Sequence, residues 1–61
     1  MPEHHTLKQL IGSEIDVDRY DGGHDHGTLV NVNRRSLWLV VNGDEDRFIA
    51  ISDVATLRAA S

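Results

Sequence analysis

The sequence contains no cysteine, which excludes disulfides and thiolate metal sites. Its single proline is Pro2, ahead of every apolar segment, so no later strand is interrupted. Aromatic residues are limited to Tyr20, Trp38 and Phe48. No apolar run approaches the ~20 residues that would cross a bilayer. Met1 to Thr6 is polar and lacks the pattern of a signal peptide. A soluble, cytoplasmic protein is expected. At 61 residues the chain has room for one domain, 1–61. Domains this short sit near the limit of what one core can stabilise. Without disulfides, oligomerisation or a histidine/carboxylate metal site remains as compensation. Six basic residues face ten acidic ones, giving a net charge of −4. That balance opposes broad nucleic-acid binding but leaves space for a local basic site.

The chain itself reads as one helical segment followed by strands. Thr6-Leu7-Lys8-Gln9 has the spacing of a capping box, and Leu7, Leu10 and Ile11 fall on one helical face. Gly12 is a natural stop, so a helix is expected over about 6–12. After Gly12 the apolar period switches to two, with Ile15 and Val17 alternating with Asp16 and Asp18. Strands are expected over about 14–20, 27–33, 36–42, 46–51 and 53–57. The segment Asp21-Gly22-Gly23-His24-Asp25-His26-Gly27 reads as a turn-rich loop, Asn42-Gly43 as a hairpin turn, and the end from Arg58 as frayed. A helix and five short strands joined by tight turns predict a mainly β fold. Its expected form is a five-stranded SH3-like barrel behind a short N-terminal helix.

Two strands are apolar on both faces. If Leu37, Leu39 and Val41 point inward, Trp38 and Val40 point outward; Phe48 and Ala50 on one face leave Ile49 and Ile51 on the other. A strand apolar on both faces is covered on both. Trp38, Val40, Ile49 and Ile51 are therefore expected to form a subunit interface in a homo-oligomer, a ring or a dimer. The plainer alternative is that the twist of a small barrel absorbs them.

In this order of elements the chain resembles the Sm-like superfamily, which includes bacterial Hfq, from Thr6 to Leu57. Ile15-x-Val17, Gly22 or Gly23, Gly27-Thr28-Leu29, Asn33 and Leu37-x-Leu39 follow the order of the first Sm motif. Phe48-Ile49-Ala50-Ile51-Ser52-Asp53-Val54 is similar to the last strands of Hfq, with their Ala-Ile-Ser-x-Val run. The resemblance implies an Sm-like barrel, self-association, and RNA binding at the turn between the second and third strands. Here that turn is Asn33-Arg34-Arg35-Ser36, not the Asp-x-x-Met-Asn of members that bind uridine-rich RNA. The Arg-Gly of the second Sm motif would fall at Ala50-Ile51, and the Lys-His of Hfq at Phe48-Ile49.

The candidate RNA-binding residues are thus Asn33, Arg34, Arg35 and Ser36, the arginines suiting phosphates and the other two offering hydrogen bonds. The competing reading is a solvated turn whose arginines pair with carboxylates. Trp38 suits an interface, the core, or stacking on a base. His24 and His26, with Asp21 and Asp25 nearby, are weak metal candidates: the residue types are competent, but the segment reads as a glycine-rich loop without a fourth ligand. Four histidines also allow sensitivity to pH near neutrality. No nucleophile turn or phosphate loop is present, and Asp16 with Asp18 reads as a solvated face, so neither catalysis nor a cofactor is expected. The leading function is an oligomeric, non-catalytic RNA-binding protein acting in RNA or gene-expression regulation. The alternative is a protein-binding or structural barrel, a regulator or an assembly component of the phage type, that lacks the RNA pocket.

Overall fold

The computed structural model describes residues 7–60. Five antiparallel strands form one sheet in the order β4-β3-β2-β1-β5. They are β1 (Glu14–Arg19), β2 (His24–Val32), β3 (Ser36–Val41), β4 (Glu45–Ala50) and β5 (Val54–Ala59), with a 3₁₀ turn at Ile51–Asp53 between the last two. The Cα extents are 25 × 25 × 21 Å, so no direction has the thickness of a flat sheet. The sheet is strongly curled around one core. Among the described residues the outer strands β4 and β5 are not hydrogen-bonded neighbours, so among these residues they form the two edges of the sheet.

The expected helix over 6–12 is not shown. Thr6, its capping residue, lies outside the described residues. Over Leu7–Ser13 the backbone makes three-residue bonds: Leu10 N–H to Leu7 O at 3.0 Å, Ile11 N–H to Lys8 O at 3.3 Å and Ser13 N–H to Leu10 O at 2.9 Å. Gly12, at φ 93°, then turns the chain, and its N–H donates to Leu29 O at 2.7 Å. This tight turn seats Leu7 fully in the core and Leu10 partly against it, while Ile11 faces solvent.

β1 and β3 alternate as their sequences require. Ile15, Val17, Leu37 and Leu39 are wholly buried, with Asp16, Asp18, Trp38 and Val40 on the outer face. β2 departs from expectation. It starts at His24, three residues early, because Asp18↔His24, Val17↔Asp25 and Asp16↔His26 pair across to β1. The glycine density that suggested a loop has two causes. Gly22, at φ 90°, makes the preceding turn. Gly27 is needed for space, since a Cβ there would lie 2.5 Å from the Val40 carbonyl oxygen. Further along, a bulge between Leu29 and Asn31 resets the phase of β2. Leu29 and Val32 both point inward as a result, and Asn31 stands outward opposite Trp38.

β4 corrects the interface expected from sequence. Residues opposite one another across an antiparallel pair share a face. Leu37 is buried and pairs with Ile49, so Ile49 is buried too; Trp38 pairs with Phe48, and Phe48 is outward and 66 % exposed. Ile51 leaves the strand for the 3₁₀ turn and packs partly on the core. Of the four expected interface residues, only Trp38 and Val40 stand on the outer face. β5 also runs two residues beyond its expected end. Arg58 and Ala59 pair with Asp16 and Ile15, and Ala60 N–H donates to Glu14 O at 3.0 Å, so the described C-terminal residues are held in the sheet.

Gly27→Ala should force β2 away from the Val40 carbonyl. The expected loss is about 1–3 kcal/mol, read as a lowered urea midpoint at unchanged slope. An unchanged midpoint would contradict the close approach of β2 and β3.

Candidate functional site

Three outward side chains form a row across the sheet: Asn31 on β2, Trp38 on β3 and Phe48 on β4. The Trp38 and Phe48 rings lie 5.6 Å apart between centroids, tilted by 30°. Such a pair is favourable beyond its buried area. Trp38 Nε1 donates to Asp46 Oδ1 at 3.0 Å, which fixes the indole on the sheet surface. Asn31, Val32, Asn33, Ser36, Trp38 and Phe48 line a recess of about 100 Å³. Its wall is the turn expected from sequence. Asn33 Oδ1 accepts the N–H groups of Arg35 at 2.7 Å and Ser36 at 2.9 Å, and Asn33 N–H donates to Ser36 O at 3.0 Å. The asparagine therefore builds the turn that presents Arg34 and Arg35. Those arginines are exposed and line a neighbouring hollow with Ile51 and Ser52. Asn31 and Phe48 are absent from the sequence-derived set. Asn31 owes its position to the bulge and Phe48 to register, and neither leaves a local signal.

The other three arginines are occupied. Asp25 is the one charged residue buried among those described, at 5 % exposure. Arg19 Nη1 donates to its Oδ2 at 2.9 Å and Arg47 Nη1 to its Oδ1 at 3.0 Å. Arg19 also meets Asp21 at 3.3 Å, and Arg47 meets Glu45 at 2.9 Å. Arg58 Nη1 donates to Asp18 Oδ2 at 3.2 Å. Among the described residues, Arg34 and Arg35 have no carboxylate partner.

His24 and His26 do not lie on a loop. They stand two residues apart on the outer face of β2, against Asp16 and Asp18 of β1. His24 Nδ1 is 2.8 Å from Asp18 Oδ1 and its Nε2 is 3.3 Å from Asp16 Oδ1; His26 Nδ1 is 2.8 Å from Asp16 Oδ1. Thr56 completes the ladder with a 2.9 Å bond to Asp18 Oδ2. The imidazoles are thus engaged by carboxylates, and no group of three or more His, Asp or Glu among the described residues is arranged to hold a metal ion. The His24 hydrogen bond, then those of Thr56 and Arg58, lower the Asp18 carboxyl to about 2. The His26 hydrogen bond lowers Asp16, and the Asp18 bond raises His24.

A scan against protein-family models, a search of curated proteins and a search of solved structures each found no match. No helix among the described residues is long and apolar enough to cross a membrane.

The ladder fixes a pH window. His24 is raised from 6.5, so its contribution is complete below that value and is lost as pH rises through its higher folded value. Asp18 falls from 3.8 to about 2, so its contribution is complete above 3.8 and is lost as pH falls toward 2. These groups are solvent-screened, so the effect is small. Thermal melts should show a shallow stability maximum between about pH 4 and 6.5, flattened in Asp18→Asn. A wild-type profile with the same flatness as the variant would refute the ladder.

Proposed function

We propose that the protein is a self-associating, non-catalytic RNA-binding module of the Sm-like kind its sequence resembles. One observation carries this reading. In a chain of net charge −4, Arg19, Arg47 and Arg58 are held by carboxylates, whereas Arg34 and Arg35 have no such partner among the described residues. These two arginines sit in sequence between Asn33 and Ser36, which line the recess holding Trp38 and Phe48, and themselves line a neighbouring hollow with Ile51 and Ser52. Guanidinium groups suit phosphates, and exposed aromatic faces suit unstacked bases. Single-stranded RNA offers both at adjacent positions.

The curled sheet of five short strands supports reading the fold as an SH3-like barrel. Its two edge strands support self-association: β4 of one copy pairing with β5 of the next is a head-to-tail contact, which closes into a ring when the rotation permits. Half-buried Trp38 and Val40 lie on the outer face beside that edge. The module acts in the cytoplasm by positioning or protecting RNA in gene-expression regulation. A second reading, a protein-binding or structural barrel, draws on the same exposed Phe48 and on the acidic tip Asp44-Glu45-Asp46, which repels phosphates.

Fluorescence anisotropy with short single-stranded RNA decides between them. Binding should weaken at least about tenfold between low and physiological salt, and Arg34→Ala/Arg35→Ala should remove it while leaving the fold intact by circular dichroism. Absence of binding at low salt would leave the protein-binding reading. Self-association is tested separately by light scattering: the expected mass is a multiple of 6.8 kDa, and a wild-type mass of one chain would overturn the oligomer.

A further inference from the structure

The outer face of the β3–β4 hairpin is laid out evenly about one aromatic row. Cross-strand pairing sets Ser36 beside Ala50, Trp38 beside Phe48 and Val40 beside Asp46. Trp38 and Phe48 are the middle pair, with Phe48 and Ala50 exposed and Trp38 and Val40 half-buried. The two ends of this face carry opposite charge. Ahead of Ser36 stands the turn with Arg34 and Arg35, kept in line with the hairpin by the Ile51 N–H, which donates to Arg35 O at 2.8 Å. Past Val40 and Asp46 stands the tip, closed by Asp44 N–H to Val41 O at 3.3 Å. Among the described residues Arg34 and Arg35 have no carboxylate partner, and Asp44 and Asp46 have no basic one. The bond that Asp46 accepts from the Trp38 indole comes from a neutral group and leaves its charge uncancelled. Two cations thus stand at one end of an apolar row and two anions at the other.

We propose that this face pairs with the same face of a second copy, about a two-fold axis running along the Trp38–Phe48 row. Such an axis lays each aromatic ring on its counterpart and reverses the strands. The basic turn of each copy then meets the acidic tip of the other, twice per contact. A two-fold axis along the strands would instead bring turn to turn and tip to tip, like charge on like. Charge therefore sets the orientation, and the aromatic row supplies the apolar area to be buried. A second copy is the occupant because the face is complementary to itself, in both its apolar centre and its charged ends. The contact spans two six-residue strands, so it belongs with the weak interfaces below about 1,200 Å². It is distinct from pairing of β4 with β5, which runs through backbone groups at the strand edges. It does not rest on RNA binding. It covers the side chains which that reading assigns to RNA, so a bound strand and a second copy exclude one another.

Light scattering at low salt, over rising protein concentration and without RNA, tests the pairing. The variants are Arg34→Glu/Arg35→Glu and Asp44→Lys/Asp46→Asn, the last substitution keeping an oxygen for Trp38 Nε1. All four positions are exposed, so circular dichroism should be unchanged. Each variant alone sets like charges together at both ends. It should need at least about tenfold more protein to reach the wild-type mean mass. An equimolar mixture of the two restores both attractive contacts and should regain that mass, then lose it in high salt. Adding Phe48→Asp to both variants should abolish the rescue. Wild-type mass in both variants, or a mixture no better than its components, overturns the face pairing and leaves the edge contact standing. A wild-type mass of one chain at every concentration overturns both.

Discussion

A buried carboxylate organises this sheet. Asp25 sits on the inward face of β2, in line with Gly27 and Leu29, where an unpaired charge would be untenable. It is tenable because two arginines reach it from different strands: Arg19 from the end of β1 and Arg47 from β4. In the order β4-β3-β2-β1-β5, β4 is an edge strand and β1 lies on the far side of β2. One residue thus ties three strands, two of them not neighbours. Each carboxylate oxygen has its own guanidinium, and each guanidinium holds a second carboxylate, Asp21 or Glu45. A buried charge that loses a partner is strongly destabilising, whereas a complete set roughly balances its desolvation cost. The clamp therefore acts less as a source of stability than as a condition on geometry: the sheet must stay curled enough to keep both arginines in reach.

The same clamp explains the electrostatics of the surface. An excess of acid over base suggests a protein that repels anions everywhere. In the structure the carboxylates are largely committed. Asp25 and Asp21 hold Arg19, Glu45 and Asp25 hold Arg47, Asp16 and Asp18 hold the histidines and Arg58, and Asp46 holds the indole of Trp38. The basic residues they occupy are those of β1, β4 and β5. The turn between β2 and β3 escapes because Asn33, a neutral side chain, satisfies its backbone. Net charge is thus a poor guide to local field here. What matters is which charges have been spent on one another.

Much of the fold was legible in sequence. Period-two alternation identified β1 and β3 and their inward residues Ile15, Val17, Leu37 and Leu39. The Asn42-Gly43 turn and the Asn33–Ser36 turn stood where expected. The failures share a physical origin, since each depends on a partner distant in the chain. Gly27 resembles a loop glycine until Val40 is brought against it. A strand that is apolar on both faces has no period of its own, so Ile49 and Phe48 exchange faces unless the register with Leu37 and Trp38 is known. Arg58 and Ala59 look like a frayed end, yet they are paired with β1. His24 and His26 read as part of a glycine-rich loop because the strand partners that order them, Asp18 and Asp16, lie six and ten residues earlier.

The bulge in β2 connects the fold to the candidate site most directly. Strict alternation from Asp25, Gly27 and Leu29 would send Asn31 inward and Val32 outward. That would bury an amide beside the core and expose a valine. One extra residue at the bulge exchanges the two, so Val32 joins the core and Asn31 stands beside Trp38. The amide oxygen then accepts the N–H of the next residue, and Asn31 lines the recess. A single irregularity thus serves packing and site at once. Removing it would not merely weaken the ladder; it would trade a core valine for a polar group and take the recess wall away. The core and the recess are in this sense one design, and a sequence that keeps Val32 inside also keeps Asn31 on the face where a ligand would meet it.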